Sequence, residues 1–188
     1  VARILAAMGA ALYLTGRDPG RLESIAGDLR VRGAAQVHIE RLDVTETGVL
    51  DGVVGRAAVA LGGLDTVLVA AGLLPDQIRV NGDSKLLRQS FEVNAMGAMI
   101  VLNAAAALLE QQGHGHLVAI GSVAGDRGRA VNYAYGAAKA ALEVFSSGLR
   151  QRLHRRGRRP VPCRPTRSPD RGYPTGLRPA GHCPARTG

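Results

Sequence analysis

The feature that most constrains the fold is a regular alternation of short apolar runs with longer helical stretches along residues 2–155. The apolar runs predict strands at 11–15, 37–42, 65–70 and 116–120. Helical spacing of apolar residues predicts helices at 2–9, about 19–29, about 47–61, about 85–111 and about 133–155. Strands that are near-continuous apolar runs separated by helices favour a parallel sheet covered on both faces. The predicted fold class is therefore α/β, a doubly wound parallel sheet.

The end of the chain has a different composition. Residues 1–150 contain 14 basic and 14 acidic residues, so the net charge of +9 comes from residues 151–188, with ten arginines and one acid. The same 38 residues hold seven of the nine prolines and both cysteines. Because prolines remove N–H donors from a strand, we expect a disordered tail at 157–188 after a domain at 1–156. An out-of-frame reading of a GC-rich gene would give such a tail, a hypothesis that DNA sequence across residues 150–165 tests.

Three residues form the strongest catalytic pattern. Tyr135 and Lys139 are four residues apart on a predicted helix, so their side chains share a face. Ser122 follows the fourth predicted strand, at the edge where open α/β sheets bind ligands. An ammonium beside a phenol stabilises the phenolate, which lets the phenol exchange a proton with a carbonyl or alcohol oxygen. A serine hydroxyl can hold that oxygen by a hydrogen bond.

With these motifs, residues 1 to about 156 resemble the short-chain dehydrogenase/reductase family, whose members are NAD(P)-dependent oxidoreductases with a Rossmann fold. The matching motifs are Ala70-Ala71-Gly72, Val93-Asn94-Ala95, Ile120-Gly121-Ser122 and Tyr135-Gly136-Ala137-Ala138-Lys139. The resemblance implies hydride transfer between a nicotinamide cofactor and a small carbonyl or alcohol substrate. It implies Tyr135 as the catalytic acid/base, Lys139 as its partner and a ribose ligand, and Ser122 as the group that orients the carbonyl.

The resemblance assigns further residues to the site. Asn94 is expected to hold a relay water, Asp43 and Val44 to contact the adenine, and Ala71 and Gly72 to form a wall of the cofactor cleft. The intact family member is expected to form a homo-oligomer.

The choice of cofactor depends on the residues after the first predicted strand. An acid there accepts hydrogen bonds from a ribose 2′-hydroxyl, whereas an arginine accommodates a 2′-phosphate. Gly16 stands where the NAD-preferring pattern has its acid, and Arg17 follows. The prediction is NADP, with NAD as the alternative.

The chain departs from the family pattern at both ends. Members of the family begin with a strand and a glycine-rich turn that binds the pyrophosphate, whereas this sequence opens with Val1 inside the helix that follows. We therefore expect a fragment with an incomplete sheet. Its two halves would share no central strand, its last strands would be replaced by the tail, and its activity would be impaired.

Other functions are weaker predictions. The alternative to an enzyme is an inactive remnant or an interaction module. A nucleic-acid binder acting through its basic tail ranks lower, because Tyr173 is the tail's one aromatic residue. We therefore expect no specific nucleic-acid partner. His114 and His116 suggest a metal pair, but no third ligand is near in the sequence, so we expect no metal.

Composition also bears on location. No apolar run approaches the ~20 residues of a membrane span, so we expect none. Because the part before the tail has no cysteine, we expect a cytoplasmic protein.

Overall fold

The computed structural model describes residues 1–154 and the backbone of residues 163–168, and within them helices and strands alternate. The strands are β1 (Ala11–Gly16), β2 (Gln36–Arg41), β3 (Thr66–Val69), β4 (His116–Ser122) and β5 (Cys163–Ser168). The α-helices are α1 (Ala2–Ala7), α2 (Pro19–Val31), α3 (Thr47–Leu61), α4 (Gln77–Val80), α5 (Ser84–Phe91), α6 (Gly97–Gln112) and α7 (Tyr133–His154). A π-helical turn, Glu92–Met96, joins α5 to α6, and a 3₁₀ turn, Val123–Gly125, follows β4.

All paired strands are parallel, but they form two separate sheets. β1 pairs with β2, with Leu14 opposite Ile39, and β3 pairs with β4, with Val67 opposite Leu117. Among the described residues β1 and β3 do not pair with each other. In a Rossmann sheet one central strand lies between these two positions. The predicted α/β fold with an incomplete parallel sheet is thus confirmed.

The expectation of disorder from residue 157 is wrong for Cys163–Ser168. These residues form β5, which pairs in parallel with β4 and places Pro165 opposite Ala119. β5 is an outer strand of the described sheet. An edge strand accommodates proline where the missing N–H faces away from the neighbouring strand, so proline does not exclude a strand here. Residues 155–162 and 169–188 lie outside the described residues, and the expected boundary at 156/157 stays a prediction.

The helix start predicted at Asp18-Pro19 is present. Asp18 has extended backbone, and its carboxylate accepts a hydrogen bond from the N–H of Arg21 at 3.1 Å. Pro19 is the first residue of α2, where its missing N–H and restricted φ favour helix formation. Leu22, at the start of the predicted apolar stripe, is buried. This cap directs the chain away from the carboxyl end of β1.

The main hydrophobic core joins α3, α6 and α7 to β3 and β4. Its most deeply buried large side chains include Leu50, Leu102, Leu109, Leu117 and Leu142. Burying a leucine contributes roughly 1.5–3 kcal/mol. Helices α6 and α7 both pack against β4. This packing fixes the carboxyl end of β4, where the candidate site lies, relative to α7.

The helical stretch Ser84–Gln112, which contains α5, the π turn and α6, is apolar and long enough to cross a bilayer by length and composition. Half of its most apolar window is buried inside the protein. Leu102 and Leu109 belong to the core that this stretch shares with β4 and α3. Such packing is typical of a core helix, which meets the same criteria of length and composition.

Candidate active site

Tyr135 and Lys139 lie one turn apart on α7, as their spacing predicts. The ammonium nitrogen of Lys139 is 5.9 Å from the centroid of the Tyr135 ring. Tyr135 is partly buried, whereas Lys139 is only 3% exposed. A cation at this distance from an aromatic face is within the range of a cation–π interaction. The structure therefore brings the predicted acid/base and its partner together.

The side chain of Lys139 is held by a backbone group of β4. Its Nζ donates a hydrogen bond to the carbonyl oxygen of Ile120, in β4, at 3.0 Å. Burial lowers the pKa of the Lys139 ammonium below the usual value for lysine, because the charged form loses hydration. A Cβ placed on Gly72 would lie 3.9 Å from the same Nζ. Lys139 therefore lies between β4 and the segment after β3, close to the predicted cleft wall.

Ser122 is the last residue of β4 and is buried. Its Oγ accepts a hydrogen bond from the N–H of Ala124 at 3.2 Å, which caps the 3₁₀ turn. That turn packs against α7 at Gly136, where a Cβ would lie 2.5 Å from the carbonyl oxygen of Ala124. A larger residue at position 136 would push the turn away. Glycine at position 136, directly after Tyr135, thus allows the Ser122 turn to pack closely against α7.

Asn94 lies in the π-helical turn and is fully buried. Its Oδ1 accepts from the N–H of Leu73 at 2.8 Å, and its Nδ2 donates to the carbonyl oxygens of Leu73 at 2.7 Å and Ser90 at 2.9 Å. The side chain therefore fastens the segment after β3 to the helix. These bonds use both N–H donors and one of the two lone pairs of the oxygen, and the expected relay water stays a prediction. π-turns inside helices often lie at functional sites.

One cleft is lined by five of the residues predicted to contact the cofactor, but Tyr135 and Lys139 are not among its lining residues. Its volume is about 720 Å³, and the five residues are Arg17, Asp43, Val44, Ala71 and Gly72. Each of them follows the carboxyl end of a strand, which is where open α/β sheets bind ligands. The same cleft extends between β1 and β3, where apolar side chains such as Leu14 and Val67 line it.

The two charged residues of this cleft have different environments. Asp43 accepts hydrogen bonds from the N–H and the hydroxyl of Thr45, both at 2.9 Å. The backbone N–H of Thr45 is the main reason why the pKa of Asp43 is lowered, and the positive charge of Arg17 adds to the effect. Arg17 itself is exposed directly after β1. The cleft thus has a firmly ionised carboxylate and a guanidinium close to each other.

Gly97 connects this cleft to the helix that carries Asn94. A Cβ on Gly97 would overlap the carbonyl oxygen of Val44. Glycine at the first position of α6 therefore permits the helix to approach the segment after β2. This contact helps to hold the Asp43–Val44 segment in place at the cleft.

The sequence did not indicate a group of polar residues beside Tyr135. Gln77, at the start of α4, is 5% exposed and binds the N–H of Ala134 through its Oε1 at 3.0 Å. The one sequence signal for α4 is Asp76, which caps it by accepting from the N–H of Ile78 at 3.0 Å. Gln77 reaches a residue 57 positions along the chain, a contact that local sequence patterns do not reveal.

Residues 1–165 match the family model described as short chain dehydrogenase. The chain belongs to the short chain dehydrogenase family. It is 36% identical over 165 residues to an uncharacterized oxidoreductase of Mycobacterium tuberculosis and 36% identical over 179 residues to another of Streptomyces coelicolor. These matches cover 88% and 93% of this chain, but 66% and 69% of the relatives, so the chain spans about two thirds of their length.

Solved structures of the family have the same fold. Serine dehydrogenase from Escherichia coli superimposes with a TM-score of 0.72 at 26% identity, covering 82% of this chain and 70% of that chain. A short chain dehydrogenase from Mycobacterium smegmatis gives a TM-score of 0.73 at 25% identity, covering 81% and 63%. This short chain dehydrogenase thus has the Rossmann-type α/β fold of an oxidoreductase family. The alternatives of an inactive remnant and a nucleic-acid binder are not favoured.

The histidines considered as a metal pair have other contacts. The Nδ1 of His114 lies 3.1 Å from the Nε2 of Gln112 and 4.0 Å from the carboxylate of Asp65. Within residues 1–154, no three histidine, cysteine, aspartate or glutamate side chains are grouped as metal ligands. These contacts are typical of a surface turn before β4.

Proposed function

We propose that this short chain dehydrogenase transfers a hydride between a nicotinamide cofactor and a small carbonyl or alcohol substrate, with NADP preferred and NAD as the alternative. The observation that carries the proposal is the arrangement at the end of β4. The buried Lys139 ammonium lies 5.9 Å from the Tyr135 ring, and the Ser122 turn packs against α7 beside Tyr135. A phenol, a cation and a hydroxyl in this arrangement suit proton exchange with a carbonyl oxygen.

The cleft fits a dinucleotide in two respects. The residues predicted to hold the cofactor in this cleft follow the carboxyl ends of β1, β2 and β3, the edge where open α/β sheets bind ligands. The exposed guanidinium of Arg17 can bind a 2′-phosphate in a bidentate manner. Arg17, Asp43, Val44, Ala71 and Gly72 would hold the cofactor. When bound, the cofactor supplies or accepts the hydride.

The protein's own residues handle the oxygen and its proton. The Ser122 Oγ uses a lone pair to accept the hydrogen bond from the N–H of Ala124. Its O–H group therefore remains able to donate a hydrogen bond to a substrate carbonyl oxygen. Tyr135 gives its phenolic proton to that oxygen while a C–H bond forms at the carbonyl carbon. The Lys139 ammonium stabilises the resulting phenolate. Alcohol oxidation follows the same steps in reverse, with Tyr135 as the base.

We also propose that the 188-residue chain has impaired activity. The support is structural, because in the described residues β1 and β3 have no shared strand and their edges face one cleft. A cleft with an open side holds its lining residues less firmly. For the longer proteins of the family that this chain resembles, we propose a homo-oligomer in the cytoplasm, as expected from the sequence.

The experiment uses an extended chain, in which a glycine-rich strand and turn of the family precede Val1. Tyr135→Phe should abolish NADPH-dependent reduction of carbonyl compounds and leave NADPH binding nearly unchanged, because the ring and its packing are kept. Tyr13→Phe is the matched control, since its hydroxyl binds Glu40 on β2 at 2.6 Å. General acid/base catalysis contributes about 10²–10⁴-fold, so turnover above about a tenth of the parent rate would contradict the proposal.

A further inference from the structure

A set of hydrogen bonds joins α4 to the first turn of α7. The Oε1 of Gln77 accepts from the N–H of Ala134, and its Nε2 donates to the Oδ1 of Asn81 at 3.0 Å. The same Oδ1 accepts from the hydroxyl of Tyr133 at 2.7 Å. We call Gln77, Asn81 and their two bonds to α7 the α4 clamp. It binds both residues that precede Tyr135 in α7.

The first turn of α7 needs a partner from elsewhere. The first N–H groups of an α-helix have no acceptor inside the helix. In α7 the N–H of Gly136 bonds to the carbonyl oxygen of Asn132 at 2.8 Å, so the N–H of Ala134 precedes the regular hydrogen-bond series. Ala134 is only 2% exposed. Because water reaches this N–H poorly, Gln77 supplies the acceptor from another helix.

The orientation of the Gln77 amide is fixed by its partners. Ala134 offers a donor and therefore requires the amide oxygen, whereas the Oδ1 of Asn81 requires the amide nitrogen. Reversing the amide would break both bonds. With Gln77 itself 5% exposed, this arrangement is built into the interior rather than formed at the surface.

Tyr135 lies between two anchors on α7. On one side, the α4 clamp holds Ala134, and on the other, the Ile120 carbonyl holds Lys139 at 3.0 Å. Gly136 packs against the Ser122 turn, and farther along the helix core residues such as Leu142 and Leu149 fix it. Without the clamp, the first turn could fray while the remainder stayed packed. The position of Tyr135 relative to Lys139 would then vary.

We propose that Gln77 is a positioning residue for Tyr135, acting through Ala134, with Asn81 as its support. The proposal rests on the proposed function for the importance of Tyr135, but the clamp itself can be measured without turnover. Gln77 and Ala134 are 57 positions apart in the sequence, so a residue of α4 positions the acid/base on a helix far along the chain.

The test compares Gln77→Leu with Gln77→Glu in the 188-residue chain. Gln77→Leu removes both bonds. The carboxylate of Gln77→Glu can still accept from the N–H of Ala134, and the Asn81 amide can turn so that its Nδ2 donates to the second carboxylate oxygen. Hydrogen exchange at Ala134 should become at least about tenfold faster in Gln77→Leu and return towards the parent rate in Gln77→Glu. Gln111→Leu, at an exposed position of α6, is the matched control and should leave the rate unchanged.

A second readout reports on Tyr135 itself. In protein labelled with ¹³Cζ-tyrosine, Tyr135→Phe assigns its signal, and Lys139→Met shows how that signal moves when the ammonium is removed. Gln77→Leu should shift the Tyr135 signal in the same direction and leave that of Tyr13 unchanged, because Tyr13 lies on β1. A purely structural role would lower stability without this shift.

The outcomes separate the two proposals. Equal exchange at Ala134 in the parent and in Gln77→Leu, or an unmoved Tyr135 signal, would overturn the positioning role whether or not the protein turns over a substrate. If the extended chain kept its turnover after Tyr135→Phe, the proposed function would be wrong. Hydrogen exchange at Ala134 and the Tyr135 signal would still show whether Gln77 positions Tyr135. Faster exchange, rescue by glutamate and a shifted Tyr135 signal together would support the clamp.

Discussion

Replacing Asn94 tests whether its side chain fastens the cleft wall or holds a water. In the structure it makes three hydrogen bonds to backbone groups of Leu73 and Ser90, all between 2.7 and 2.9 Å. Asn94→Ala removes all three and leaves a buried N–H and two carbonyl oxygens without this partner. At a net contribution of about 0.5–1.5 kcal/mol for each of the three bonds, the free energy of unfolding should fall by about 1.5–4.5 kcal/mol.

Asn94→Asp sharpens the measurement. A carboxylate can still accept from the N–H of Leu73, but its second oxygen would face the two carbonyl oxygens that Nδ2 now binds. We expect the variant to be at least as unstable as Asn94→Ala at neutral pH. Folding would raise the pKa of this carboxyl, so stability should be recovered as the pH falls towards the usual aspartate value of about 3.9.

The assay is urea unfolding of the extended chain, followed by far-ultraviolet circular dichroism because the sequence has no tryptophan. Asn103→Ala is the matched control. Asn103 is exposed on α6 and accepts one long bond, at 3.4 Å, from Arg152, so its loss should stay within about 0.5 kcal/mol. A loss below about 1 kcal/mol for Asn94→Ala would refute the fastening role and favour a side chain that holds only a water.

Three further predictions concern the cofactor, a buried charge and the sheet. Arg17→Ala in the extended chain should weaken NADPH binding by about 1.5–3 kcal/mol and hardly change NADH binding, and equal losses in titrations with both would show that Arg17 does not contact the 2′-phosphate. Burial lowers the pKa of Lys139, so the parent should gain stability relative to Lys139→Met as the pH rises towards about 10.4. The measurement is the difference between the urea midpoints of the two proteins, and a difference that does not change with pH would contradict the prediction. The 188-residue chain should self-associate through its open β1 and β3 edges. Adding a strand before Val1 should reduce the self-association measured by sedimentation. Undiminished association would show that the molecules associate through another surface.

Sequence patterns predicted the parts of the fold that depend on local preferences. The apolar runs located β1 to β4, the Asp18-Pro19 pair located the start of α2, and the spacing of Tyr135 and Lys139 placed them on one helix face. These features need only neighbouring residues, because burial of an apolar run, a cap and helical periodicity are all local. The split between the two sheets was expected from the family resemblance instead, because the family's central strand precedes the helix in which this sequence opens.

The remaining features depend on contacts between distant residues. The π turn adds one residue within a helix whose apolar spacing is intact on both sides, so periodicity did not reveal it. β5 is stabilised by pairing with β4, which its Arg164-Pro165 sequence conceals. α4 has four residues, too few for a periodic pattern. The bond from Gln77 to Ala134 joins residues whose proximity arises only after α4 and α7 have packed.

The most direct test of the proposed hydride transfer follows the hydrogen itself. The extended chain is incubated with a carbonyl substrate and NADPH that carries deuterium at both hydrogens of the nicotinamide C4, and the alcohol is analysed by mass spectrometry. We expect an alcohol heavier by one mass unit from the parent and from Tyr13→Phe, and almost none from Tyr135→Phe. An alcohol without deuterium, or equal labelled product from Tyr135→Phe, would contradict it.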